Sequence, residues 1–309
     1  MKLRLAYFGT PEFAGDLLEK IIANDNLKVD VSFVVTQPDQ PIGRKKIITP
    51  SQVKQVASKH GIRIFESLEI PSELLQKIDF ALIYYYGKII PAHFLALPHL
   101  GFWNIHFSRL PQYRGATPAT FSLIMSDPQT AISLVQTDKK LDYGPLISQD
   151  IVDIDPTETR LQLEQKLHNK LPNILEREIK TIDTISKRLK KQDHSKATYT
   201  LIPTRDHGFL PISTLNKAMN NEPLTTDEIP PLIKAYFDKN KMDLGSSLDL
   251  VNSGKIIFDY YRGLHTWPGI WSLLQKRRMK IIDAHLTDNC FKINTIQFEG
   301  ETPKKFNGL

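Results

Sequence analysis

One cysteine, Cys290, stands in 309 residues. An internal disulfide and a cysteine-rich metal site are therefore excluded. Such usage fits a reducing cytoplasm. No apolar run approaches the roughly 20 residues that a membrane span needs. The opening MKLRLAYFGTPEF turns polar too soon for a secretory signal. The pattern G-x-G-x-x-G is missing after the first strand, which excludes a dinucleotide-binding dehydrogenase. Histidine and cysteine spacing offers no metal cluster, so no metal is expected. The sequence has no internal repeat and no low-complexity tract.

What remains is a soluble globular composition, 41% hydrophobic and 24% charged. The length suggests two domains. A net charge of +6 is compatible with a polyanionic partner without requiring one.

Residues 3–8 read as a short buried strand, broken by Gly9-Thr10-Pro11. Residues 12–24 then carry helical spacing through Phe13, Leu17, Leu18 and Ile21. Thr10 is suited to cap that helix and Pro11 to its first position. With a second strand at 29–36 this makes a βαβ unit, the opening of a doubly wound, Rossmann-like α/β domain. Residues 37–50, QPDQPIGRKKIITP, read as an irregular loop stiffened by Pro38, Pro41 and Pro50. It presents Arg44, Lys45 and Lys46 together. Three adjacent cations are most often solvated surface, yet on a stiff loop they suit phosphates. A helix at 51–60, a strand at 62–65, helical pieces at 72–77 and 93–97, and a central strand at 80–86 follow.

The stretch at 102–118, FWNIHFSRLPQYRGATP, is the chemically richest. Asn104 and His106 lie two apart on a strand, so they face the same side. A loop built from Ser108, Arg109, Leu110, Pro111 and Gly115 comes next. A lone histidine is more often structural than catalytic, so its company decides. Beyond it lie a helix at 120–125, strands at 131–136 and 146–152, and between those strands a tight turn holding Asp142. Residues 157–187 read as a long amphipathic helix that Pro172 kinks or divides.

KRLKKQDHSK at 187–196 is a polar, basic break, read as an interdomain linker over 188–196. The two domains expected are 1–187 and 197–309. In the second, 197–219 reads as strand and turn, 229–237 as a short helix, and Ser253 as the cap of a helix carrying Ile257, Tyr260, Tyr261 and Leu264. Three short strands at 270–274, 279–286 and 290–298 close a β-rich domain of the barrel kind, like oligonucleotide-binding folds.

FGTPEFA at 8–14, TQPDQPIGRKK at 36–46, NIHFSRLPQYRGATP at 104–118, LDYGP at 141–145 and RGLHTWPGIW at 262–271 are recognisable. They resemble the methionyl-tRNA formyltransferase family of folate-dependent formyltransferases. The resemblance covers nearly all of 1–187 and thins to patches after 197. N-x-H with a later LD-x-GP is shared with formyltransferases acting on glycinamide ribonucleotide and on sugar amines. The GTPEFA start and the basic proline loop are more specific to the tRNA family. The resemblance implies a Rossmann-like domain, a C-terminal β-barrel domain that binds tRNA, and 10-formyltetrahydrofolate as formyl donor. It implies Asn104, His106 and Asp142 as catalytic residues. Ser108, Arg109, Leu110 and Pro111 fall on the folate-contacting loop, with Arg109 in place of an apolar residue. Arg44, Lys45 and Lys46 fall on the loop that enters the tRNA acceptor end.

The chemistry suits those residues. In formyl transfer an amine attacks the formyl carbon, and negative charge builds on its oxygen. Asn104 and His106 can donate to that oxyanion. The attacking nitrogen must lose a proton and the leaving nitrogen must gain one, work that histidine does well. Asp142 would orient the imidazole or take the proton through a water. The expected activity is formylation of the methionine amino group on initiator Met-tRNA by a cytoplasmic, monomeric enzyme. The alternatives are a formyltransferase for a nucleotide-linked sugar amine and a non-catalytic folate- or RNA-binding module. His60, His93, His99 and His265 are expected to be structural or surface residues.

Overall fold

The computed structural model describes residues 2–43, 45–244 and 249–308. Two compact units are each built from three segments of chain. The first takes Met1–Pro111, Ala131–Asp150 and Lys166–Lys196; the second takes Gln112–Thr130, Ile151–Gln165 and Ala197–Leu309.

The first unit is centred on a seven-stranded sheet. Its strands are β1 (Leu3–Gly9), β2 (Val29–Val35), β5 (Arg63–Phe65), β6 (Phe80–Tyr84), β7 (Phe102–His106), β8 (Gln129–Gln136) and β9 (Leu146–Asp153). Two further strands, β3 (Gln40–Ile42) and β4 (Ile47–Thr49), stand apart as a ribbon. The sheet order is β5-β2-β1-β6-β7-β8-β9. β1 runs parallel to β2 and β6, and β6 runs parallel to β7. β8 is antiparallel to β7. Strands covered on both faces have no solvent side, so they read as unbroken apolar runs; all of β6 is buried. The chain first winds from β1 toward β2, then from β6 toward β7. That reversal places the crevice at the carboxyl ends of β1, β6 and β7.

Helix α1 (Glu12–Ala23) buries Leu17, Leu18 and Ile21. Its cap position is Pro11, not Thr10. The Thr10 hydroxyl instead accepts the Gln37 N–H at 3.4 Å. Helix α2 (Gln52–Lys59) is capped by Ser51, whose hydroxyl accepts the Lys54 N–H at 3.1 Å. A one-turn helix, α3 (Ser72–Leu75), precedes β6. The helix expected at 93–97 is a run of turns closed by Phe94 N–H to Pro91 and Leu97 N–H to Phe94. Pro91 and Pro98 bracket too few residues to nucleate an i→i−4 ladder. Phe8, Phe33, Val35, Ile83 and Phe102 form the core on this side, with Phe8 edge-on to Phe102 at 5.2 Å. Full burial of each such side chain contributes about 1.5–3 kcal/mol.

The segment expected to be irregular at 37–50 holds the β3–β4 ribbon, with Pro41 opposite Ile48. A two-stranded ribbon has outer edges only, and a proline that cannot donate is tolerated there.

The second unit opens with α4 (Pro118–Ile124). Helix α5 (Arg160–Lys180), which belongs to the first unit from Lys166 onward, continues across Pro172. The lost backbone bond is offset by complete or nearly complete burial of Leu167, Leu171 and Leu175. A short α6 (Ile185–Arg188) follows in the first unit. Back in the second unit, the strand-and-turn region expected at 197–219 instead contains α7 (Ile212–Asn220). Ser, Thr and Asn give it poor intrinsic propensity, and burial of Leu215 and Ala218 decides the conformation. α8 (Pro231–Asn240) and α9 (Ser253–Leu264) complete the helices. A separate antiparallel sheet has the order β10 (Trp271–Leu274), β11 (Arg277–Thr287), β12 (Cys290–Phe298), β13 (Lys304–Lys305).

α9 is buried nearly all round, which suits a helix packed on several neighbours. A Cβ on Gly263 would lie 2.4 Å from Ile124 Cγ2 and 3.0 Å from the Thr120 carbonyl, so only glycine lets α9 meet α4 this closely. Beside it Arg262 and Asp259, both almost fully buried, form an ion pair. Asp259 also accepts from Ser126 and Lys255. Arg262 further donates to the carbonyls of Glu158 at 2.9 Å and Asp155 at 3.3 Å. Among the described residues no helix is long and apolar enough to cross a membrane.

Candidate active site

β7 ends on His106, at the carboxyl edge of the sheet and beside the reversal in strand order. Period-two alternation puts Asn104 and His106 on one face. Their neighbours are set by register: Asn104 lies between Ile83 and Val135, and His106 lies opposite Ser133.

The tight turn before β9 brings Asp142 to this edge. Its side chain is only 4% exposed, and His106 is 5% exposed. The Asn104 amide donates to Asp142 Oδ1 at 3.1 Å. The other oxygen, Oδ2, stands 3.6 Å from His106 Nδ1. That is an ion-pair separation and too long for a good hydrogen bond. Such contacts commonly tighten only when substrate is bound. One carboxylate thus faces both the amide and the imidazole. The arrangement turns His106 Nδ1 toward Asp142. The three residues expected to act together are therefore adjacent in space.

The loop after β7 is anchored by its own side chains and carbonyls. Ser108 is fully buried, and its carbonyl accepts from the Ser133 hydroxyl at 2.7 Å. Leu110 packs with Val135 and Leu146, and its carbonyl accepts from Gln149 at 3.0 Å. Pro111 follows it and ends the first segment of this unit. Arg109 between them is exposed. Lys45 and Lys46 are exposed at the end of the β3–β4 ribbon, while Arg44 lies outside the described residues.

Beneath the loop, Phe107 meets the rings of Tyr84 at 5.8 Å and Tyr85 at 6.1 Å. The Tyr84 hydroxyl pairs with His168 Nδ1 at 3.1 Å, and His168 Nε2 pairs with Asp16 at 2.6 Å. Burial pushes the His168 imidazole below the ordinary histidine range, against the pull of Asp16. Burial alone would push the Asp16 carboxyl up, but hydrogen bonds from Lys20 and His168 hold it below its ordinary value. This chain of polar groups fixes the tyrosine on which Phe107 rests.

One participant was not visible in the sequence. Gln192, inside the segment read as a linker, is buried and donates to the carbonyls of Asp142 and Gly144. A single glutamine among lysines carries no periodicity, so no sequence signal marks it. Among the described residues no group of three or more His, Cys, Asp or Glu is arranged to hold a metal ion.

Comparison with known proteins shows the family. The sequence model of the formyl transferase family matches residues 1–179. The methionyl-tRNA formyltransferase of Thermotoga maritima is 36% identical over 234 residues, 74% of this chain and 74% of the relative. That of Staphylococcus aureus is 29% identical over 308 residues, 98% of this chain and 85% of the relative. Among solved structures, the N-formyltransferase of Helicobacter canadensis in complex with folinic acid and dTDP-3-aminofucose aligns with a TM-score of 0.59. The alignment covers 93% of this chain and 88% of that chain at 16% identity, a likeness of fold. With the family match spanning more than half of its length, this chain belongs to the formyl transferases and is a formyl-transferring enzyme.

Proposed function

We propose that this enzyme transfers a formyl group from 10-formyltetrahydrofolate to the amino group of methionine on initiator Met-tRNA. The observation that carries the reading is the single carboxylate of Asp142 facing both Asn104 and His106 at the carboxyl edge of the sheet. The identity to methionyl-tRNA formyltransferases over most of the chain supports the choice of acceptor.

In this reading the formyl oxygen lies against Asn104 and His106. An asparagine amide has two N–H donors, and Asp142 takes one. The second is offered to the oxyanion as the methionine amine attacks. Donors fixed before the reaction cost no reorganisation when charge develops. The imidazole of His106 carries the proton between the attacking and leaving nitrogens. Asp142 holds the imidazole in orientation. The folate sits along residues 108–111, with the exposed Arg109 turned to water, as a long snorkelling side chain readily does.

The direct test is incubation with 10-formyltetrahydrofolate and charged initiator tRNA, following formyl incorporation. Formylation of a dTDP-linked amino sugar, with none of the tRNA, would favour the sugar-amine reading instead. Absence of both would favour a binding module.

The acceptor also makes a demand on the β3–β4 ribbon. Replacing Arg44, Lys45 and Lys46 together by glutamine should weaken binding of the charged tRNA. The slope of log affinity against log salt should fall by roughly 0.7–0.9 per lost phosphate contact. The Michaelis constant for the formyl donor should not change. An unchanged salt slope would mean these cations are ordinary solvated surface.

A further inference from the structure

We propose that Gln192 is a positioning residue for the Asp142 carboxylate, clamping the turn that carries it. The inference rests on the reading of Asp142 as a catalytic group.

The clamp is local and specific. Gln192 is 7% exposed, and its Nε2 donates to the Asp142 carbonyl at 2.8 Å and to the Gly144 carbonyl at 2.7 Å. Both N–H bonds of one amide are thus spent on the two carbonyls flanking Tyr143. Asp142 needs such support. Its φ is +51°, the left-handed region that disfavours any residue with a Cβ. The turn is also pressed against the sheet, because a Cβ on Gly144 would lie 1.8 Å from the Gln136 carbonyl oxygen. The turn is therefore held between β8 and Gln192.

The segment bearing Gln192 is itself tied down on both sides. Lys190 and Leu146 exchange two backbone hydrogen bonds, of 2.8 and 2.9 Å. The His194 ring stacks on Tyr143, with centroids 3.6 Å apart and planes 11° apart. These ties fix residues 190–194 against the turn from Asp142 to Leu146. A register set by the backbone pair then delivers the Gln192 amide to the two carbonyls. Loss of the amide leaves the buried Gly144 carbonyl and the partly buried Asp142 carbonyl without those donors, and an aspartate of positive φ without its restraint. The Asp142 side chain must reach Asn104 and His106 at once, so a small shift of its backbone spoils both contacts. Misplacement by about 1 Å can cost on the order of 10²-fold in rate.

Three measurements on the full-length enzyme test the clamp, all using 10-formyltetrahydrofolate and charged initiator tRNA. Gln192→Ala should lower kcat roughly 10- to 100-fold, with little change in the Michaelis constant for the formyl donor. In an Asp142→Asn background the same substitution should lower kcat less than about twofold, because contacts acting through one group are not additive. Gln192→Glu should be impaired at neutral pH and regain activity relative to the unmodified enzyme as pH falls. A protonated carboxyl again donates a hydrogen bond, whereas a carboxylate only accepts. This last variant keeps the side-chain length, so it carries the test if Gln192→Ala fails to fold. A merely structural glutamine would lower the melting temperature and leave kcat and the pH profile of the remaining folded enzyme intact. That outcome overturns the inference, as do independent, multiplying losses in the double variant. If Asp142→Asn alone retains full turnover, the site reading fails and the clamp has nothing to position.

Discussion

His106→Ala should lower formyl transfer about 10²- to 10⁴-fold while the protein stays folded, the range that a general acid–base group contributes. The expectation follows from what the ring does in this site. It is buried at the end of β7 and faces Asp142 through Nδ1. In the proposed mechanism alanine removes both the proton carrier and one donor to the developing oxyanion. Asp142→Asn should cost a similar factor for a different reason. The new amide keeps an oxygen for Asn104 but presents N–H groups where His106 needs an acceptor, which favours the wrong tautomer. Single-turnover rates with charged tRNA, measured beside circular dichroism, separate chemistry from unfolding. Near-normal single-turnover rates in either variant would move the active site elsewhere.

The second large effect is on stability. Arg262→Met should destabilise the unit that holds it by at most about 3–5 kcal/mol, the usual cost of an uncompensated buried charge, lessened here by the Lys255 pair that Asp259 keeps. Among the described residues Asp259 would remain almost fully buried with Lys255 and Ser126 as its side-chain partners. The carbonyls of Asp155 and Glu158 would lose their guanidinium as well. Against a typical stability of roughly 5–15 kcal/mol, that loss is severe. The double substitution Arg262→Met with Asp259→Leu should recover part of it, since replacing a whole buried pair by apolar groups is often neutral. Urea midpoints for the two variants and the parent decide the matter. A single variant as stable as the double would show that the pair is not a coupled buried charge.

Much of the first unit was legible because its strands are buried on both faces. Unbroken apolar runs such as FALIY leave little doubt about a central strand, and α1 shows its face through Leu17, Leu18 and Ile21. Asn104 and His106 were legible because strand period is local. Asp142, 38 residues from Asn104, was recognised through resemblance, since no local rule predicts that a turn will fold back to a given strand. The misreadings have physical causes. Prolines suggested that 37–50 could not pair, but a ribbon edge asks nothing of a proline N–H. α7 was hidden because Ser213, Thr214, Asn216 and Asn220 dilute its helix formers until Leu215 and Ala218 find a core. Gln192 was hidden more thoroughly. Its role depends on two carbonyls brought to it by tertiary structure, and solvated lysines surround it in sequence.

The β3–β4 ribbon also sets a timescale. Its two strands pair through three residue pairs, in a sheet separate from the main one. A lone two-stranded hairpin is marginally stable in water, so local opening costs little. The ribbon should therefore sample open and closed forms many times during one catalytic cycle, while the seven-stranded sheet stays shut. Ile47 and Ile48, exposed on β4, are carried through each of those excursions. A partner that grips the ribbon must first wait for, or select, its paired form. If the ribbon meets tRNA as proposed, apparent affinity there scales with the fraction of time it spends closed.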